Sequence, residues 1–245
     1  MNARLFGLLS LVALLFGAPL AHATPPYPDP WQGLRLELSG SLGDFYLLYG
    51  VDADPSFGQL LDLRLQRGDQ LLNQLAPGDA PRLAPLVATW QRYRDQLRSI
   101  AQNLQRGRLP DGNAVSMLLE LNRQLLRHCD SLGPATERPT AAARLALRLQ
   151  QLTTDYIAYS IGANALGGDN QAIDEQARQF ASELQLLLRQ AEPGGERQRR
   201  LQAIARKWRY MEPSLLGYGQ RAVPSLMHRY SGSIIAELMQ LGAAG

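Results

Sequence analysis

The sequence is short of the parts from which most protein chemistry is built. Its 245 residues contain one cysteine and three histidines. A single Cys excludes a disulfide framework, a cysteine-based zinc site and a CxxCH haem attachment. Of the histidines, His22 lies in a segment expected to be removed, which leaves His128 and His228. His128 and Cys129 are neighbours on an expected helix and point about 100° apart, so one ion cannot easily take both. No metal and no cofactor is expected. GxSxG, HExxH, a P-loop and a GxGxxG after a strand are all missing. Nothing along the chain concentrates its arginines and carboxylates, so no catalytic residue is assigned and the chain is read as a non-enzyme. Lysine is nearly absent, Lys207 being the only one. Without Arg4, 24 basic residues face 22 acidic ones. A balance so close to neutral gives no electrostatic reason to expect a nucleic-acid partner.

What is present begins with a targeting signal. Arg4 is followed by an uncharged apolar run over 5–17, and Ala21-His22-Ala23 has small residues at both positions of an A-x-A cleavage site. The run is shorter than the roughly 20 residues that span a bilayer, and no later stretch is long and apolar enough. Cleavage is expected to leave a chain beginning at Thr24, with no transmembrane segment, exported to a bacterial periplasm. Cys129 suits that oxidising compartment only if it is buried or used between chains.

The remainder reads as helix. Leu83, Leu86, Trp90, Tyr93, Leu97, Ile100 and Leu104 recur at alternating steps of three and four. The same spacing joins Leu145, Leu149, Leu152, Tyr156, Tyr159 and Ala163, then Ile173 to Ala191, then Leu201, Ile204, Trp208, Met211, Leu215 and Tyr218. No period-2 alternation bounded by turn residues occurs, so no strand is expected. Breaks at Asp54-Pro55, Pro77-Gly78-Asp79, 110–113 (with Asn113 as a cap), 133–139, 167–170, Pro193-Gly194-Gly195 and around Gly217 and Gly219 set the ends. The spacing predicts eight helices over 31–51, 55–76, 81–107, 113–131, 139–165, 170–191, 195–216 and 222–241. The expected fold is all-α: two antiparallel four-helix units over 24–133 and 134–245 in an elongated bundle, with one continuous shared core as the alternative to two separate ones. Asp44-Phe45 with Tyr49, and Asp155-Tyr156 with Tyr159, open the two units alike, and Trp90 and Trp208 follow them. An internal duplication is one reading of this, chance likeness of Leu-rich helices the other.

Two sets of residues are candidates for function. Asp44 and Asp155 precede core-facing aromatics, at the margin of an apolar stripe. With Tyr49, Tyr156 and Tyr159 they form the candidate ligand-binding set; the alternative is that such carboxylates pair with an Arg or a Tyr inside the fold. Core-facing Tyr hydroxyls need partners, supplied by a polar core layer or by a ligand between helices. The second set is the basic run at 197–209, in which Arg199, Arg206 and Arg209 project away from the apolar stripe of their helix. That face is a candidate for an anion or an acidic partner, or else a solvated face.

Helix number, apparent duplication and export together resemble, in architecture alone, the helical periplasmic modules of bacterial chemoreceptors and sensor kinases. The flanking membrane helices and signalling domain of such receptors are not in this sequence, so the resemblance implies sensing through a partner. The expected function is non-catalytic binding of a small ligand or an envelope protein, in the periplasm. The alternative is a structural or assembly factor docking through the Arg-rich face.

Overall fold

Local sequence sets most helix ends. The Asp29 carboxylate accepts from the Trp31 amide (2.9 Å) just where Pro30 opens the first helix, the position at which a missing N–H costs nothing. The Asp111 carboxylate caps the fourth helix, accepting from the Asn113 amide at 3.2 Å. The cap is thus Asp111 and not Asn113, the shorter loop placing the carboxylate at the first free amides. Thr140 caps the fifth through the Ala143 amide. Gly107 and Gly162, both with φ of +72°, end the third and fifth helices, a conformation that L side chains rarely adopt. The fifth helix therefore stops at Ser160, short of the expected 165.

The computed structural model describes residues 27, 29–50, 55–75, 80–133, 139–163, 172–218 and 222–243. The leader with Ala21-His22-Ala23, and the turn signals at 54, 77–79, 167–170 and 219, lie outside the described residues. Those described are 88% helical, without a strand. The helices are α1 (Pro30–Gly50), α2 (Pro55–Leu75), α3 (Ala80–Gln105), α4 (Gly112–Leu132), α5 (Ala141–Ser160), α6 (Ile173–Gln190), α7 (Glu196–Leu216) and α8 (Pro224–Ala243). None of them is long and apolar enough to cross a membrane.

α1 to α4 close a ring of neighbours, and α5 to α8 close another. Cross-helix contacts such as Arg35 with Asp130, Trp90 with Asp69, and Lys207 with Glu237 join antiparallel neighbours. The rings meet where α1 packs on α5 and α8, and buried apolar side chains from both form one cluster. α1 and α5 run parallel, since Ser39 meets Thr154 and Gly50 meets Ile161. Their approach needs glycine: a Cβ on Gly43 would lie 3.1 Å from Thr154 Oγ1, and one on Gly50 would lie 2.5 Å from Ile161 Cβ.

This makes α1 the axis of the molecule, packed against α2, α3, α4, α5 and α8. It is buried on every side from Trp31 to Leu48, with Arg35 and Leu42 only half-buried. A helix enclosed in this way has no polar face, so its Glu37 and Asp44 must find partners inside. The other apolar stripes point inward nearly as spaced. The exceptions are Tyr159, 39% exposed on the last turn of the shortened α5, and Tyr218, half-buried just beyond α7. They pack edge to face on each other at 4.7 Å.

Candidate functional site

The densest polar chemistry lies where α1, α2 and α8 meet. Glu37 and Asp44 stand two turns apart on α1, both with 0% exposure. Gly40 lies between them, and its missing side chain makes room for a guanidinium: a Cβ there would come within 2.2 Å of Arg64 Nη1. Arg64 of α2 lies in that gap. Its Nε donates to Asp44 Oδ2 (2.6 Å) and its Nη1 to Glu37 Oε2 (3.2 Å). Arg67, one turn on, places Nε 2.6 Å from Glu37 Oε1 and Nη2 3.2 Å from Oε2. The Tyr27 hydroxyl completes the Glu37 shell. His228 of α8 lies with Nε2 2.6 Å from Asp44 Oδ1, its ring edge-on to Phe57.

Two carboxylates are thus matched by two guanidinium groups, with His228 as a further partner. Burial by itself would raise the Asp44 pKa. The Arg64 charge, and the hydrogen bond and charge of His228, outweigh it and hold the carboxyl below its ordinary 3.8. For Arg64 burial opposes the charged form, and the two carboxylates more than reverse that, so its pKa is raised. Burial, then Glu37, push the Tyr27 phenol up as well. The fold therefore concentrates arginines and carboxylates that the sequence disperses; for Asp44 it meets the alternative of pairing with an Arg, while the inclusion of Glu37, Arg67 and His228 was not foreseen. Each of these contacts is internal, and together they join three helices.

A second polar layer lies beside it. The Tyr93 hydroxyl meets Ser41 Oγ at 2.9 Å and accepts from Asn122 Nδ2 at 3.3 Å, and Asn122 also donates to the Leu38 carbonyl. Burial raises the Tyr93 pKa to about 12. The hydroxyl that a core Tyr must satisfy is met here within the core. Tyr156 behaves alike, its hydroxyl accepting from the Val223 amide at 2.9 Å.

The candidate ligand residues are not brought into one pocket. Asp44 has no solvent-accessible surface and is engaged at both oxygens. Tyr49 is half-buried and stacks on Phe45 at 5.8 Å. Asp155 is half-buried on the other unit, accepting from Gln176 at 3.1 Å. Tyr156 is enclosed, and Tyr159 is exposed beside Tyr218. Of the residues that made the two units look alike, Asp44 lies enclosed within an ion cluster, whereas Asp155 is half-buried and accepts from Gln176.

The two tryptophans differ as well. Trp90 lies over Gly68, where a Cβ would come within 2.2 Å of the ring, and its indole N–H donates to Asp69 at 2.7 Å. Trp208 packs on Phe180 at 4.3 Å, and its buried N–H has no partner.

The chain matches no family model, no curated protein and no solved structure. Function must therefore be argued from its own surface. An open furrow of about 530 Å³ runs between α3 and α4, lined by Arg92, Asp95, Gln96, Met117, Glu120, Leu121 and Gln124. Met117 is 51% exposed at its rim. Among the described residues no carboxylate engages Arg92, whose Nη2 lies 3.5 Å from Thr89 Oγ1. Glu120 is held by Arg123, Arg127 and Gln124.

On α7, Arg206 and Arg209 are exposed. Arg199 is exposed too, but is tied back to Glu196 (3.0 Å) and to the Gly194 carbonyl (2.8 Å). Among the described residues no three His, Cys, Asp or Glu side chains gather as metal ligands would.

Cys129 is fully buried, and burial pushes its thiol up to about 12. The thiolate is the reactive form, so the folded protein should resist an aromatic disulfide reagent at mildly alkaline pH. It should react with one equivalent after denaturation in guanidinium. Fast reaction in the folded state would show that α4 opens locally.

Proposed function

We propose that this chain is an exported, non-catalytic binding protein that takes a small amphipathic ligand on its outer surface, in the furrow between α3 and α4. The observation that carries this reading is the furrow itself. It offers buried Leu121 and, at the rim, Met117 as apolar surface, amide groups at Gln96 and Gln124, and at Arg92 a guanidinium that no carboxylate of the described residues engages. That combination suits a ligand with an anionic group on a short apolar body. The interior supports the same division of labour: the Asp44 cluster is saturated by its own helices and acts as a brace. Export is supported by the leader pattern, Arg4 followed by the apolar run and Ala21-His22-Ala23.

One preparation tests both halves. Protein recovered from a periplasmic extract should have the intact mass of a chain starting at Thr24. Native mass spectrometry should show a bound small molecule that Met117→Arg, which fills the furrow, abolishes. Full-length protein in the membrane fraction overturns export. A chain free of ligand, or a ligand kept by Met117→Arg, overturns the furrow.

A second reading, a structural or assembly factor of the envelope, is favoured by one observation: Arg206 and Arg209 stand exposed on α7, and no carboxylate among the described residues engages them.

A further inference from the structure

We infer that the outer face of α7 and α8 is a docking surface for an acidic protein segment, centred on Tyr210. The inference rests on the docking reading and is independent of the α3–α4 furrow. Tyr210 is 59% exposed, yet its ring is fixed, lying against Tyr230 of α8 at 5.0 Å. An aromatic side chain held in place before binding loses little freedom on contact, which is why Tyr recurs among the anchors of protein interfaces.

The charge around this ring pair is unbalanced. Arg206 stands one turn before Tyr210 on the same side of α7, and Arg209 projects about 60° round the helix from Arg206, one turn on from it. Arg229 adjoins Tyr230, one turn before Ser233, which Lys207 reaches at 2.6 Å. All three arginines are exposed, and no carboxylate engages them. Five arginines elsewhere on the surface are paired: Arg94 with Asp69, Arg148 with Glu183, Arg178 with Asp174, Arg199 and Arg200 with Glu196. Among the described residues, Arg106, Arg108 and Arg189 are exposed and unpaired like the α7–α8 set, and the set differs from them in adjoining the Tyr210–Tyr230 ring pair. The nearby acids do not restore balance, since Glu237 is taken by Lys207 and only Glu212 remains on this part of α7.

Planar guanidinium forks beside a phenol match carboxylates on a peptide surface, which each fork can hold through two hydrogen bonds. A bilayer fits less well. Leu216 is the one aliphatic side chain well exposed on α7, too little apolar area to insert.

The probe is a fluorescent poly-L-glutamate peptide of about 20 residues, titrated into the whole chain at low salt. Binding should weaken about tenfold or more in Arg206→Gln/Arg209→Gln/Arg229→Gln, and severalfold in Tyr210→Ala. It should be unchanged in Arg106→Gln/Arg108→Gln/Arg189→Gln, which removes the same charge from exposed sites elsewhere, and in Met117→Arg. Added salt should weaken the wild type. Melting temperatures should stay close to wild type, because exposed charges contribute little to stability. Equal loss in the control triple variant would reduce the effect to bulk charge and overturn the site. So would an absence of binding, or binding to phosphatidylglycerol vesicles but not to the peptide.

Discussion

Arg64→Met is expected to destabilise the protein by about 3–5 kcal/mol, the usual result of removing one partner from a buried ion cluster. The substitution leaves Glu37 and Asp44, both fully enclosed, with only Arg67, Tyr27 and His228 to neutralise and bond them. Folded domains are stable by about 5–15 kcal/mol in all, so this is a large fraction. Denaturant unfolding at neutral pH measures it. Asp44→Asn in the Arg64→Met background should recover part of the loss, because it removes the charge left unpaired. A double variant no better than the sum of its single changes would mean that Arg64 acts through packing against Gly40 and not through its charge.

The same cluster predicts a dependence on pH. The Asp44 pKa is lowered on folding, so in acid the unfolded chain takes up this proton before the folded chain does. The contribution is complete above the unfolded value near 3.8 and is lost as pH falls below it, through the folded value. Stability measured from neutral pH into that acid range should fall, and Asp44→Asn should flatten the fall. An equal slope in wild type and variant would assign acid sensitivity to other carboxylates.

Trp90→Ala should cost about 3–5 kcal/mol, as large aromatic truncations in cores do. Trp90 is 2% exposed, and Gly68 leaves its ring no room to be replaced by a closer helix contact without movement of α2. The conservative changes separate packing from hydrogen bonding. Trp90→Phe removes the donor to Asp69, whereas Trp208→Phe removes an N–H that bonds to nothing. An unsatisfied buried donor is itself unfavourable, so Trp208→Phe should cost about 1 kcal/mol less than Trp90→Phe. The reverse order would show that the Trp208 ring, wedged on Phe180, matters more to packing than its N–H does to polarity.

Helix number and nearly all the inward faces were legible in the sequence, because heptad spacing and turn residues act over a few positions at a time. Leu83 to Leu104 shows this, every member of the stripe being buried. Tyr159 was misplaced because the positive φ at Gly162 ends α5 early, and on that last turn its ring is 39% exposed with Tyr218 packed on one side. That Asp44 pairs with an arginine was one of the two sequence readings, but its partners were not legible. Its partners lie 20 positions away on α2 and 184 away on α8, and no local pattern joins them. One clue was present: 30–50 has only three charged residues and no polar face, as expected of a helix enclosed on all sides.

By itself the sequence determined the all-α class, the eight helices and the basic character of the 197–209 segment, all consequences of local spacing and composition. Tertiary structure alone decided that α1 is the axis, that Glu37 and Asp44 are neutralised within it, and that Tyr230 and Arg229 extend the α7 surface. These depend on which helix packs beside which, and that is set by long-range fit: the gap at Gly40 that admits Arg64, and the approach at Gly43 and Gly50 that admits α5.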